Sequence, residues 1–219
     1  MDDPVKRLSR LDVCAVSDAM DKLALHGCVS GLTQQSTTRR IAGRVVTYRL
    51  VPKVDAPVVV GPPRHLGTTA IEAARPGDVI VVEQRTGIDA GCWGGILSLG
   101  AKVRHVAGVI ADGPVRDIDE ARTFDFPVFC RSLTARTARG RVVEAETNGV
   151  VTVGDVQVAA GDYVIADPSG VVFIAARDIE RLLDAAEDIV GREAAMAKAL
   201  LAGTPISQVM NADYEHMLR

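Results

Sequence analysis

The stretch GCWGGILSLGAKVRHVAGVIADGPVRDIDE, residues 91–120, decides how this chain is read. It opens in a glycine loop around the chain's single tryptophan. It continues through a segment with helical spacing from about 96 to 104, becomes the apolar run VAGVIAD, and ends on Arg116 and Asp117. Preceded by the apolar run VIVVE and followed by a short helix from Asp117 and the strand FPVFC, this is a strand-helix-strand-helix-strand series. Such a series predicts α/β organisation with an at least partly parallel sheet. Ligands in open α/β sheets collect beyond the carboxyl ends of the strands, and two of those ends meet in this one stretch.

Working outward, residues 11–25 place Val16, Ala19, Met20 and Leu23 at helical spacing and stop at His26-Gly27. IAGRVVTYRLV and, after Pro57, the run VVV are β-rich, and residues 66–74 predict a helix that ends in the turn RPGD. From 142 to 174 short β runs are separated by Gly149, Gly154, AGD and DPSG, which predicts antiparallel hairpins. Residues 177–202 carry Ile179, Leu182, Leu183, Ala186, Ile189 and Val190 on one helical face, which either packs on its own domain or reaches a neighbouring subunit. No repeat or long linker divides the chain, so residues 1–219 are expected to form a single domain.

With 219 residues the chain can bury roughly 70% of its unfolded surface. At 47% apolar and 24% charged residues its composition is that of a globular protein. A net charge of −3 without a basic stripe argues against nucleic-acid binding. The acidic start MDDPVKRLSR and the lack of an 18-residue apolar run argue against a signal peptide or membrane span, so the expected location is cytoplasmic. Cys14, Cys28, Cys92 and Cys130 have no metal-site spacing and are expected to be buried thiols.

The loop GCWGG lacks the spacing of a dinucleotide fingerprint and no Walker lysine follows it. Its glycines would let an anion approach the free amides of the helix start, Gly94, Gly95, Ile96 and Leu97. Arg116 offers a planar fork for a carboxylate and Asp117 offers oxygen to a hard cation. The competing reading of the same pair is a structural ion pair, or a helix cap with Asp119 and Glu120 in the first turn. Trp93 is placed equally well as a pocket wall or a core anchor.

These residues carry a resemblance. Gly95, twenty residues, Arg116-Asp117, two residues and Glu120 are similar to the G-x20-R-D-x2-E/D signature of the 4-hydroxy-4-methyl-2-oxoglutarate / 4-carboxy-4-hydroxy-2-oxoadipate aldolases. Their superfamily includes the RraA-type regulators of ribonuclease E. VSDAMDKL, RIAGRVVTYR, RPGDVIVV, CWGGILSLGAK, VAGVIADGPVRD, FPVF, AGDYVIADPSGVVFI and REAA also look like that family, in its order, across most of residues 11–203.

The resemblance implies a compact swivelling β/β/α-type fold with N- and C-terminal helices, assembled as a homotrimer or homohexamer with sites at subunit interfaces. It implies a class II lyase that needs Mg²⁺ or Mn²⁺ and releases pyruvate from a 2-oxo acid by retro-aldol cleavage, with oxaloacetate decarboxylase activity as a companion. Asp117 would anchor the metal. Arg116 with the Ile96 and Leu97 amides would hold the pyruvyl end, and Glu120 would complete the catalytic set. Asp18 and Glu193 match acids that reach a neighbour's site; as isolated helix residues they read as surface charge. Some relatives carry an acid where this chain has Gly95, and Asp89 is the candidate substitute. The other reading the resemblance implies is a non-catalytic RraA-type regulator that binds a ribonuclease or another protein; such regulators tend to lack the final acid, which is present here as Glu120.

Overall fold

A computed structural model describes residues 3–56 and 64–210; the predicted VVV run after Pro57 lies outside them. In chain order the elements are α1 (Pro4–Leu8), α2 (Val13–Lys22), β1 (Cys28–Val29), β2 (Thr33–Gln34), β3 (Ile41–Pro52), α3 (Thr68–Ala73), β4 (Val79–Glu83), α4 (Gly95–Val103), β5 (Gly108–Val115), α5 (Ile118–Thr123) and β6 (Val128–Leu133). The second half adds β7 (Val142–Thr147), β8 (Val151–Val153), β9 (Val156–Val158), β10 (Tyr163–Asp167), β11 (Gly170–Ile174), α6 (Ile179–Leu201) and α7 (Ile206–Val209).

β3, β4, β5 and β6 pair in parallel and in sequence order, with α3, α4 and α5 as their crossovers. Sequential right-handed crossovers put all three helices on one face of the sheet. Every residue of β4 from Val79 to Val82 is fully buried because both faces of the strand are covered. Ile80 and Val82 point into a core shared with α3 and α4, while Val79 and Val81 join a second core with β8, β9, β10 and β11.

β3 is the strand that joins the two halves. Residues 41–44 pair antiparallel with β10, residues 45–49 pair parallel with β4, and residues 48–52 pair antiparallel with β7 across a register shift at Arg49/Leu50. β10 and β11 alternate sides. Val164, Ala166, Val171 and Phe173 enter the second core, and Tyr163, Ile165, Val172 and Ile174 enter a third core beneath α1, α2 and α6. The predicted hairpins are therefore present at β8–β9 and β10–β11, while β7 pairs back to β3.

Helix α6 resolves one open question in two parts. Its first half packs on its own chain through Ile179, Leu182, Leu183, Ala186 and Ile189, and Arg7 of α1 binds Glu180, Asp184 and Glu187 at 2.7–2.9 Å. Beyond Ile189 no residue of α6 or α7 is buried. Among the described residues no helix is long and apolar enough to cross a membrane.

One expectation is corrected. Cys14 and Cys28 are exposed: Cys14 faces outward from α2, whose buried face is Val13, Ala15, Val16, Ala19 and Met20, and Cys28 lies in the edge strand β1. The helix read within residues 11–25 is present as α2, with Asp12 capping it through the Ala15 amide at 2.9 Å, and the separate short α1 precedes it.

The crossing of β3 over the turn before β4 leaves no room at Gly43, where a Cβ would lie 2.3 Å from the Gly77 carbonyl oxygen. Because the obstacle is backbone, Gly43→Ala should lower the unfolding free energy by about 2 kcal/mol or more, read as a shifted midpoint in urea denaturation.

Candidate functional site

The glycine loop after β4 runs beside the end of β5 as if it extended the sheet. The Cys92 amide donates to the Pro114 carbonyl at 2.8 Å and the Arg116 amide donates to the Trp93 carbonyl at 3.0 Å. β5 has a pairing irregularity between Ala111 and Pro114, so Pro114, which has no N–H, interrupts nothing. This lays Arg116 and Asp117 directly on residues 91–95.

Each glycine of the loop accommodates one charged side chain. A Cβ at Gly91 would lie 2.9 Å from Cγ of Arg116, one at Gly94 would lie 2.9 Å from Oδ2 of Asp117, and one at Gly95 would lie 1.9 Å from Oε2 of Glu120. Gly94 has an extended backbone with φ −154°, so its glycine is required by space and not by conformation. The sequence reading assigned these glycines to a ligand's approach; in the fold they first seat the chain's own Arg116, Asp117 and Glu120.

Asp117 occupies the cap position of α5 in the left-handed region, φ 56° and ψ 39°, and its side chain caps nothing. Its carboxylate turns back to the loop, where Oδ2 accepts the Gly95 amide at 3.3 Å and both oxygens accept from Nε of Arg116 at 3.1 Å. The ion-pair reading of Arg116-Asp117 is thus realised, yet only through Nε. Both terminal Nη groups of Arg116 lack a protein partner among the described residues, as does the Glu120 carboxylate. The amides of Ile96 and Leu97, in the first turn of α4, have no carbonyl one turn earlier in the helix.

Arg116, Asp117 and Glu120 line an open cleft of about 520 Å³ with residues 115–120 on one wall and residues 133–135 on the other; residues 91–97 are not part of its lining. Its lining mixes Arg116, Asp117, Asp119 and Glu120 with uncharged residues such as Val115, Ile118 and Leu133, and no set of three His, Cys, Asp or Glu side chains converges among the described residues. Two carboxylates suit a hard ion of the Mg²⁺ or Mn²⁺ type, which keeps several of its waters.

The remaining predicted residues fall elsewhere. Trp93 is 1% exposed, donates from Nε1 to Ser98 at 2.9 Å and stacks on Phe126, so it anchors the core instead of lining the cleft. Burial drives the Cys92 thiol far above its ordinary range and Cys130 up to about 11, which keeps both protonated. Asp89 pairs with Arg136 at 3.3 Å and does not fold back towards Asp117. His105 borders a separate cleft with Arg39, Arg40 and Lys102, before β5 and so at the other end of the sheet.

Asp18 on α2 and Glu193 on α6 lie on the third core, away from the helix layer that carries Arg116 and Asp117. Their helices, α2 and α6, pack against each other. Burial first, then Asp21 and Asp12, raises the Asp18 carboxyl; burial first, then Asp12 and Asp18, raises that of Glu193. Within one chain the predicted site residues therefore form two groups.

Comparison with known proteins adds the family. The profile of the RraA-like family, Aldolase/RraA, matches residues 13–173. Protein DlpA of Legionella pneumophila is 24% identical over 93% of this chain, which spans only 32% of that relative's length. A protein of Halalkalibacterium halodurans named as a 4-hydroxy-4-methyl-2-oxoglutarate aldolase is 26% identical, with 91% of each sequence covered. The crystal structure of RraAS2 from Streptomyces coelicolor, described as an unusual member of the RNase ES inhibitor RraA family, shares the fold. Its TM-score is 0.75 at 24% identity, covering 88% of this chain and 94% of that one.

The raised Asp18 and Glu193 carboxyls carry a stability consequence. A carboxyl raised in the folded state favours folding while protonated, and that contribution is lost as pH rises through the folded value. Asp18→Asn and Glu193→Gln should therefore raise the melting temperature at pH 7, and the gain should vanish near about pH 4; thermal melts at both pH values read it.

Proposed function

The chain belongs to the RraA-like, Aldolase/RraA family, and on that premise we propose that it is a divalent-metal-dependent carbon–carbon lyase that releases pyruvate from a 2-oxo acid. The observation that carries the reading is the state of Arg116, which lines the cleft: Nε is fixed by Asp117 while neither Nη group has a protein partner among the described residues. A fork held rigid on one edge and free on the other is suited to a substrate carboxylate.

In a retro-aldol cleavage the C3–C4 bond leaves its electron pair on C3, conjugated with the C2 carbonyl as an enolate. The C4 hydroxyl loses a proton and becomes a carbonyl, and protonation of C3 completes pyruvate. Arg116 and the Ile96 and Leu97 amides would bind the carboxylate and the developing enolate oxygen, where preorganised donors act most strongly. Glu120, unpaired beside them, is the carboxylate available to move the C4 proton. Asp117 would hold Mg²⁺ or Mn²⁺, which when bound supplies Lewis-acid stabilisation of that charge. Oxaloacetate decarboxylation passes through the same enolate of pyruvate, so one site serves both reactions.

Assembly belongs to this reading. The outer face of α4 exposes Ile96 at 78%, beside the glycine loop, and Val103 at 69%, at the helix's far end. Asp18 and Glu193 lie on a different layer of the same chain, from which a neighbour in a homotrimer or homohexamer would bring them to the cleft. If α4 is covered in this way, Val103→Asp should lower the mass measured by light scattering to that of a smaller species.

The direct test is pyruvate release from oxaloacetate and from 4-carboxy-4-hydroxy-2-oxoadipate. Turnover should vanish with EDTA and return with Mn²⁺. Asp117→Ala should lower kcat/KM about a hundredfold or more, and Arg116→Lys should raise KM by losing the fork. Folded, metal-replete protein inactive on both acids would favour the regulator reading.

A further inference from the structure

We propose that the cleft at the opposite end of the sheet from Arg116 is a binding site for a small dianion of the phosphate class, held by Arg39, Arg40, Lys102 and His105. It does not rest on the lyase reading, since it shares no residue with the Arg116 cleft.

The cleft has about 400 Å³ and lies where β3 begins and α4 ends, against the chain entering β5 and β6. Its ionisable lining is wholly basic: Arg39, Arg40, Lys102 and His105 border it and no carboxylate does. In a chain of net charge −3 this is a local excess of the opposite sign.

The acids behind the cleft do not exhaust these groups. Arg39 gives Asp125 a single nitrogen, Nη2, at 2.6 Å from its carbonyl and 3.2 Å from its carboxylate. Lys102 donates to the same carbonyl at 3.1 Å, with the carboxylate at 3.9 Å. Arg40 donates through Nη1 to the Leu11 carbonyl, and its Nε lies 3.7 Å from Asp167, a carboxylate already taken by the Val13 and Ser169 amides. Nε and Nη1 of Arg39, Nη2 of Arg40, the other ammonium hydrogens of Lys102 and the His105 ring have no protein partner among the described residues.

His105 adds an independent observation. α4 ends in a turn in which the Val106 amide donates to the Ala101 carbonyl and the His105 amide to the Lys102 carbonyl, both at 3.0 Å. This Schellman turn puts its left-handed residue at position 105, φ 59°, where glycine is the usual choice. Histidine enters that region more readily than most residues, yet less readily than glycine. The chain places an imidazole there, exposed, with no hydrogen bond or ion pair to offset the strain. A local rule broken without local compensation points to a ligand, and this imidazole borders the cleft beside Lys102.

The set selects the anion. A single carboxylate is satisfied by one guanidinium fork, whereas two guanidinium groups, a lysine point charge and an imidazole suit a dianion with oxygens on several sides. A polymer would need a basic stripe continuing beyond the cleft, and the sequence carries none. The ligand class is therefore phosphate itself or the phosphate group of a small metabolite, whose remainder would lie on the apolar lining of Ile41, Val106 and Pro127.

Isothermal titration calorimetry of the full chain with inorganic phosphate and with glycerol 3-phosphate, at constant ionic strength, tests this. Binding should saturate. Lys102→Gln should weaken it about tenfold and His105→Gly about threefold or more, the losses of a charged and an ordinary hydrogen bond. His105→Gly should nevertheless melt within a few degrees of wild type or above it, because glycine suits the left-handed turn. Arg116→Ala should leave the affinity unchanged. Tighter binding of the ester would identify a phosphorylated metabolite, and equal or weaker binding free phosphate; either supports the site. Failure of both probes to saturate, wild-type affinity in Lys102→Gln and His105→Gly, or loss of binding in Arg116→Ala would overturn the inference. If Lys102→Gln does not fold, His105→Gly decides by itself.

Discussion

Two hydrogen bonds, from Cys92 to the Pro114 carbonyl and from Arg116 to the Trp93 carbonyl, hold the rest of the site in place. They extend the parallel pairing of β4 and β5 past the regular strands, so that the loop leaving one strand lies alongside the chain leaving the next. Strand pairing allows little slip where both faces are buried, and β4 and β5 are buried on both. The positions of Arg116 and Asp117 over residues 91–95 therefore follow from the core packing of Ile80, Val82, Val109 and Ala111. Trp93 sits at the hinge of this arrangement, and its burial against Phe126 and Ser98 holds the loop down.

Glycine serves steric closeness here. A loop that must lie against three charged side chains can offer them only hydrogen atoms, and Gly91, Gly94 and Gly95 do so. Asp117 accepts a left-handed backbone, a conformation that costs roughly 1–2 kcal/mol for most residues and less for aspartate. In exchange its carboxylate faces the Gly95 amide instead of capping α5. Strain of this kind at a cleft is a familiar mark of function.

Much of this was legible in the sequence. The βαβ series, the helix starting near Gly95 and the meeting of the loop with Arg116-Asp117 follow from hydrophobic period and glycine placement, because local pattern and global fold agree there. Other features depend on distant partners. β1 and β2 have two residues each and exist only by pairing with β11 and β6. β7 returns to β3 rather than to its sequence neighbours, and nothing local encodes that. The three glycine seats were visible as glycines, but their occupants were not, since Glu120 lies twenty-five positions from Gly95 and its rotamer is a tertiary fact. Trp93 was ambiguous because a buried anchor and a pocket wall have the same local sequence.

A single chain carries several features that lower its own stability. Asp18 and Glu193 are held above their ordinary carboxyl range on partly buried helix faces, Ile96 and Val103 are offered to solvent, and α6 continues past Ile189 without burying a residue. Independent structural accidents would scatter. Here Ile96 borders the glycine loop, the exposed part of α6 contains Glu193, and the two acids lie on α2 and α6, which pack against each other. A local rule broken without local compensation points to a compensating partner or a ligand. One neighbouring subunit, covering α4 and bringing its own acid pair towards the cleft, would compensate for all of them at once. That economy is why assembly and catalysis are proposed together: the cleft of one chain supplies Arg116, Asp117 and Glu120, and the third core supplies acids that only another copy could deliver there.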